Sequence, residues 1–427
     1  MRAKSTRRTA IIVAVVAAAV GGIVTTAVVG SRHHESSSRH FSPSHGSLPH
    51  STYGRLRMVA ILGEGFNPTG SQLRLVAEHA AIIISQPRRM ARIGPQLQAI
   101  NPHLVFVIYE NGMLSTPSDP KNLPSSWYLR GSGGEEIVPS QFPHNRLMDP
   151  RSTSAFTSGG VTYHGWADYV AKECLRDQLP FTSGCYLDAL GVGPLQHGYA
   201  IGQIMPDNPS TGRTMTVNEY EALTRRVANA VRAALPGGDI LLANGYRNGE
   251  EYFAGTRVLD KAVSGVQAQG WLTNNAAALT VSQWLQNAQM VPDASQSTHP
   301  LLRYTCACPP GDTRSQLVFG LATYLLANTG RAFFDFQVGK TRDFQAWSPL
   351  YDLDLGPPLI THADIQQYFR DGVYERTYQR GLVVVNPSPK TVAVTLQRAY
   401  AEPDGTRVRN LFLTPHSAAI LTSRPAA

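Results

Sequence analysis

From residue 57 onward the chain alternates short apolar runs with stretches of helical period. The runs fall at Met58–Leu62, 81–84, 104–109, 185–187, 240–243, 262–268, 301–304 and 332–334. Each is brief, continuous and bounded by turn-forming or polar residues, the pattern of a strand buried on both faces of a parallel sheet. The clearest helix lies between the fourth and fifth runs, over 216–235. Thr216 and Glu219 form a capping box, and Val217, Tyr220, Leu223, Val227, Val231 and Leu235 follow helical spacing. Pro236-Gly237-Gly238 then stops it. A second, more apolar helix is predicted over 315–328. Eight such units in roughly 290 residues predict an α/β fold, a closed (β/α)8 barrel of the TIM type. A doubly wound sheet is the alternative, but no Gly-x-Gly-x-x-Gly follows the first strand.

After Tyr368 the period changes to two. Segments 381–387, 391–396 and 411–421 read as three strands, with Pro403-Asp404-Gly405 as the turn between the last two. This small antiparallel β module, over 369–427, is too short for an immunoglobulin-type sandwich and is expected to pack on the barrel, which covers 56–368. One barrel connection is abnormal, with about 75 residues between strands three and four. It contains Trp127-Tyr-Leu-Arg-Gly-Ser-Gly-Gly134 and Arg146-Leu-Met-Asp149-Pro150. Long loops on the C-terminal face of a barrel build substrate clefts.

Charge changes the picture only at the N-terminus. The chain of 427 residues has a net charge of +8, of which +7 belongs to residues 1–58. The body is therefore nearly neutral and lacks the basic face that a nucleic-acid partner requires. Arg2, Lys4, Arg7 and Arg8 precede an uncharged run over 9–30, long enough to cross a bilayer at about 20 residues. The positive flank should stay inside and send the body out of the cytoplasm. Residues 1–30 are either a retained signal anchor, putting a helix in the membrane, or a cleaved signal peptide; the run's length and the missing small-x-small site favour the anchor. Residues 31–55, rich in Ser, His and Pro, read as a disordered linker. The protein is thus expected to be membrane-anchored facing outward, or secreted.

Four cysteines fit that compartment. Cys174 and Cys185 bracket the step from a helix into the fourth strand and are placed to pair, whereas Cys306 and Cys308 stand too close for an easy mutual bridge. The latter also lack a second Cys/His pair at ligand spacing, so no metal site and no cofactor are expected.

Candidate chemistry gathers at strand ends. Residues 184–191 read Gly-Cys-Tyr-Leu-Asp-Ala-Leu-Gly, a buried strand running into Asp188 and a turn. An isolated acid there serves equally well as a helix cap. Here it has company: Glu64 follows strand one, Glu110 strand three, Asn244 and Tyr246 strand five, Gln269 and Trp271 strand six, and Asp335 closes strand eight. Trp347 follows in the next loop. Acids and amides hydrogen-bond hydroxyls, and aromatic faces stack on sugar C–H surfaces, so the set suits a carbohydrate. Cleaving a glycosidic bond requires two carboxyl groups, one protonated and one ionised. No Gly-x-Ser-x-Gly elbow supports serine chemistry.

The ordered residues Trp127, Asp149, Asp188, Asn244, Gly265, Asp335, Gly356 and Asn386, with the motifs around them, resemble a family of hypothetical glycoside hydrolases. The resemblance covers most of 57–422 and implies a TIM barrel with a trailing β module. It implies Asp188 as nucleophile or stabilising carboxylate, and a second carboxylate after strand six as in α-galactosidase-like barrels. The chain has Gln269 there, and Gln267 two residues earlier. An amide cannot donate the proton a leaving group needs. Either Glu110, Asp335 or Glu64 is then the acid, or the barrel binds carbohydrate in the cell envelope without cutting it. A surface adhesion or scaffold module is the remote third reading.

Overall fold

A computed structural model describes residues 48, 53, 56–63, 67–273, 278–306, 313–338 and 348–423. The expected membrane-spanning run, Glu64, Cys308 and Trp347 lie outside them. Among the described residues no helix is long and apolar enough to cross a membrane.

Eight parallel strands close a barrel. They are β1 (Met58–Leu62), β2 (Ala80–Ser85), β3 (Val105–Asn111), β4 (Gly184–Asp188), β5 (Ile240–Tyr246), β6 (Gly265–Ala268), β7 (His299–Cys306) and β8 (Phe333–Val338). Each strand pairs with its sequence neighbours, and β8 returns to β1. All eight coincide with the apolar runs. The helices between them are α1 (Gly70–His79), α2 (Pro87–Ile100), α3 (Trp166–Arg176), α4 (Val217–Ala234), α5 (Gly249–Ala254), α6 (Val281–Ala294) and α7 (Thr313–Ala327). Thr69, Thr216 and Thr280 each start a helix with a capping box.

Strand alternation divides the core in two. Val59, Ile82, Ile84, Val107, Tyr186, Leu242, Leu301 and Phe333 fill the barrel interior. Their neighbours along each strand face the helices. Leu48 is also buried among the interior set, 4% exposed. That corrects the expectation of a solvated linker through residue 55: a large apolar side chain gains more from this interior than from water. Strand β4 begins at Gly184, where φ is 137° and a Cβ would sit 1.8 Å from the Ile240 carbonyl oxygen, so no other residue fits. Cys174 of α3 is bonded to Cys185 of β4, with Cα atoms 6.2 Å apart. Cys306 is disulfide-bonded too, its partner lying outside the described residues.

The C-terminal region is a six-stranded antiparallel sheet rather than three strands. Its members are β9 (Phe369–Arg370), β10 (Val373–Tyr378), β11 (Gly381–Asn386), β12 (Val392–Ala401), β13 (Arg407–Leu413) and β14 (Ser417–Thr422), in the order β9-β10-β11-β14-β12-β13. The expected single strand over 411–421 is two. Pro415 has no N–H to continue a ladder, His416 sits at φ 51°, and Asn386 captures the carbonyls of Leu413 and Thr414 at the turn. The sheet packs on α7, an apolar helix buried on nearly every side because barrel and sheet cover opposite faces.

Candidate functional site

Asp188 stands at the C-terminal end of β4 and is held by donors. Tyr109 of β3 donates its hydroxyl to Oδ2. Asn244 Nδ2 of β5 lies 2.7 Å from Oδ1, and the Ala189 amide 2.8 Å from the same oxygen. Asn244 Nδ2 also lies 2.6 Å from Gln269 Oε1, beyond the end of β6. Asp188, Asn244 and Gln269 thus form one hydrogen-bonded row across three adjacent strand ends. Local sequence explains the placement. Asn111 and Asp188 are register partners, and Asn244 pairs with Gln267, so inward parity carries these polar groups to the mouth. Ala189 holds φ at 61°, turning the chain sharply away once the carboxylate is delivered.

Below this row the interior is polar as well. Tyr109 stacks on Tyr186 at 5.7 Å, and Tyr186 donates its hydroxyl to Gln267. On the opposite wall Arg303 Nε of β7 lies 2.9 Å from Asp335 Oδ2 of β8, and Gln337 Nε2 lies 3.0 Å from the same oxygen. Burial pushes the Asp335 carboxyl above its ordinary range while the Arg303 charge pulls it back. Asp335 therefore faces the interior, as a member of an ion pair.

Three sequence candidates lie elsewhere. Glu110 is on the outer face of β3, because Tyr109 takes the inward position and consecutive residues of a strand point oppositely. It sits beside Asp177 and Glu173 near the end of α3, and its Oε1 is buried without a partner. Burial first, then those charges, push its carboxyl up to about 9. Tyr246 is 2% exposed and packs edge-on against Tyr252 at 5.0 Å. A register shift between Asn244 and Tyr246 inserts one residue and reverses the parity, turning the ring outward. Trp271 is fully buried, donates Nε1 to the Asn287 carbonyl at 2.9 Å and packs against Phe334. It is core, not a stacking platform. Glu64 and Trp347 fall outside the described residues.

Sequence reading did not single out Tyr109, Tyr186, Gln267, Arg303 or Tyr199 as site residues. The first four share inward parity with the residues it did choose, a signal readable once one residue per strand is assigned. Tyr199, in the loop after β4, has no such signal. Burial and then the Asp188 charge hold its phenol well above its ordinary range, which marks its proximity. The loop after β4 pairs with the long β3–β4 connection through Pro139 and Ala200, and the Ser140 amide bonds the Tyr199 carbonyl at 2.8 Å. Together they wall one side of the mouth. Within that connection Trp127 is buried among Phe156, Trp166 and Tyr169, and Asp149 is bonded by Arg151 at 2.7 Å, so both organise the wall.

No group of three or more His, Cys, Asp or Glu side chains suited to a metal occurs among the described residues. The arrangement can orient hydroxyls through amides and acids, and it presents Asp188 as an acceptor toward the opening. That is the equipment of a carbohydrate site.

Of the comparisons with known proteins, one identifies the family. No curated protein matches the chain significantly. A xylanase of glycoside hydrolase family 30 subfamily 8, Xyn30A from Clostridium acetobutylicum, aligns at 8% identity and a TM-score of 0.40, covering 88% of this chain and 97% of that one. The isomaltulose synthase SmuA from Protaminobacter rubrum aligns at 11% and 0.44, covering 88% and 100%. The α-N-acetylgalactosaminidase NagBb from Bifidobacterium bifidum, in its GalNAc complex, aligns at 10% and 0.43, covering 78% and 56%. At such values nothing of their substrates carries over. The sequence family is decisive: over residues 98–382, more than half its length, the chain matches, and so belongs to, hypothetical glycosyl hydrolase family 15.

Proposed function

We propose that the protein hydrolyses a poly- or oligosaccharide outside the cytoplasm, with Asp188 as the carboxylate that faces the reacting carbon. The observation that supports this is the donor set on Asp188: Tyr109, Asn244 and the Ala189 amide fix both oxygens at the barrel mouth. A nucleophile or charge-stabilising group must be held in this way before substrate arrives. The proton donor must be another carboxyl. Glu110 is on the wrong face of its strand and Asp335 is engaged by Arg303, leaving Glu64, the acid that follows β1 in sequence. Export is supported by the basic-then-apolar N-terminus and by disulfides at Cys174–Cys185 and Cys306, which persist in oxidising compartments. The N-terminal segment, as a signal anchor, would then hold the barrel at the membrane's outer side.

The test is sugar release from a polysaccharide panel. Asp188→Asn should lower turnover on the order of 10³-fold or more while leaving the melting temperature within a few degrees. Turnover retained by this variant removes Asp188 from the chemistry. A second reading, sugar binding without cleavage, rests on Gln269, an amide at the strand-six position where the family resemblance leads one to expect a carboxyl. Under it the native protein binds glycans without product, and Gln269→Glu creates measurable hydrolysis. Ordinary turnover by the native protein rules it out.

A further inference from the structure

The Arg303–Asp335 pair lines a small pocket, together with Val59, Ile61, Gln267 and Leu301. At depth it admits only a water-sized group. Two hydrogen-bonding atoms without a partner belong to these lining residues. Arg303 Nη2 is buried without a partner, on a side chain 8% exposed. Among the described residues Asp335 Oδ1 takes no hydrogen bond, since Arg303 and Gln337 both bond Oδ2. An orphaned guanidinium N–H in such a place is unfavourable unless a ligand or water satisfies it.

We propose that this pair is a subsite for one hydroxyl of a neutral sugar, the hydroxyl accepting from Arg303 Nη2 and donating to Asp335 Oδ1. The proposal rests on the carbohydrate reading above and adds the substrate's charge class. The chemistry decides against an acidic sugar. Asp335 already neutralises Arg303 at 2.9 Å and keeps one carboxylate oxygen unbonded, which repels another carboxylate and suits a group that both donates and accepts. A cavity too small for a ring accepts a single hydroxyl, with the ring above it at the level of Asp188.

Saturation-transfer NMR on the full chain with glucose, galactose, mannose and glucuronate tests this. At least one neutral hexose should bind, and glucuronate should bind more weakly than it by tenfold or more. Arg303→Met should weaken the hexose tenfold or more. Asp335→Asn, which leaves the guanidinium charge uncompensated, should shift preference toward glucuronate, a gain that misfolding cannot imitate. Native protein that binds the hexose yet releases no sugar from any polysaccharide would sink hydrolysis and spare the subsite. Equal or tighter glucuronate binding by the native protein overturns the proposal. So does undiminished hexose binding by folded Arg303→Met, absence of any hexose binding at millimolar concentration, or an Asp335→Asn variant that still prefers hexose.

Discussion

Tyr109 and Glu110 are consecutive residues with opposite fates. Tyr109 points inward and bonds Asp188, while Glu110 points outward into a group of acids beside α3. The raised carboxyl of Glu110 makes stability depend on pH. Its ordinary value is 4.5 and its folded value about 9, so between these limits the folded state binds the extra proton. Stability from this residue is complete below pH 4.5 and is lost as pH rises toward 9. Glu110→Gln stays neutral throughout. Urea midpoints should therefore favour the variant increasingly from pH 5 to pH 9, by on the order of 1–3 kcal/mol. Parallel stability curves for the two proteins would show that Glu110 ionises freely. Parity also explains the other residue-scale outcomes. Asn244 reaches the mouth and Tyr246 does not, because one inserted residue in β5 separates them.

Elements place the site through β4, which supplies Asp188. The strand starts at a glycine pressed against the Ile240 carbonyl and is bonded to α3 through Cys185. The bridge spans a separation of 11 residues, and closing a loop of that size in the unfolded chain is worth about 3 kcal/mol. The double variant Cys174→Ser/Cys185→Ser should lose about that much in urea denaturation. An unchanged midpoint would mean that the bridge contributes nothing. In the C-terminal sheet, elements hid behind short turns. Arg370 pairs with Val373 across Asp371-Gly372, and Tyr378 with Gly381 across Gln379-Arg380. The Asp-Gly pair, with both residues at positive φ, is a strong hairpin signal, legible in the sequence and passed over because its strand is half polar.

At the scale of the molecule, Arg376 links sheet to barrel. Only 1% exposed, it donates Nη1 to the carbonyls of Leu325, Leu326 and Asn328, at and just beyond the C-terminal end of α7. Those carbonyls have no helical partner and carry the negative end of the helix dipole. Tyr378 donates to the Leu325 carbonyl at 2.5 Å beside it. Arg376→Met should cost about 2–4 kcal/mol, since it leaves buried acceptors unsatisfied. Limited proteolysis should then cut between barrel and sheet sooner than in the native protein. Equal protease resistance would show that apolar packing alone holds the two together.

By itself the sequence determined the eight strands, the capped helices and the strand ends where polar side chains collect. Those features follow from local period and capping chemistry, which need no distant partner. Only tertiary structure decided which of those side chains meet. Closure of the barrel sets the register between strands 50 or more residues apart, as between Asp188 and Asn244. A single inserted residue then reverses which side chains face the opening. For that reason Asp188, Asn244, Gln269 and Asp335 share one interior, while Glu110, Tyr246 and Trp271, chosen on the same grounds, belong to the layer outside it.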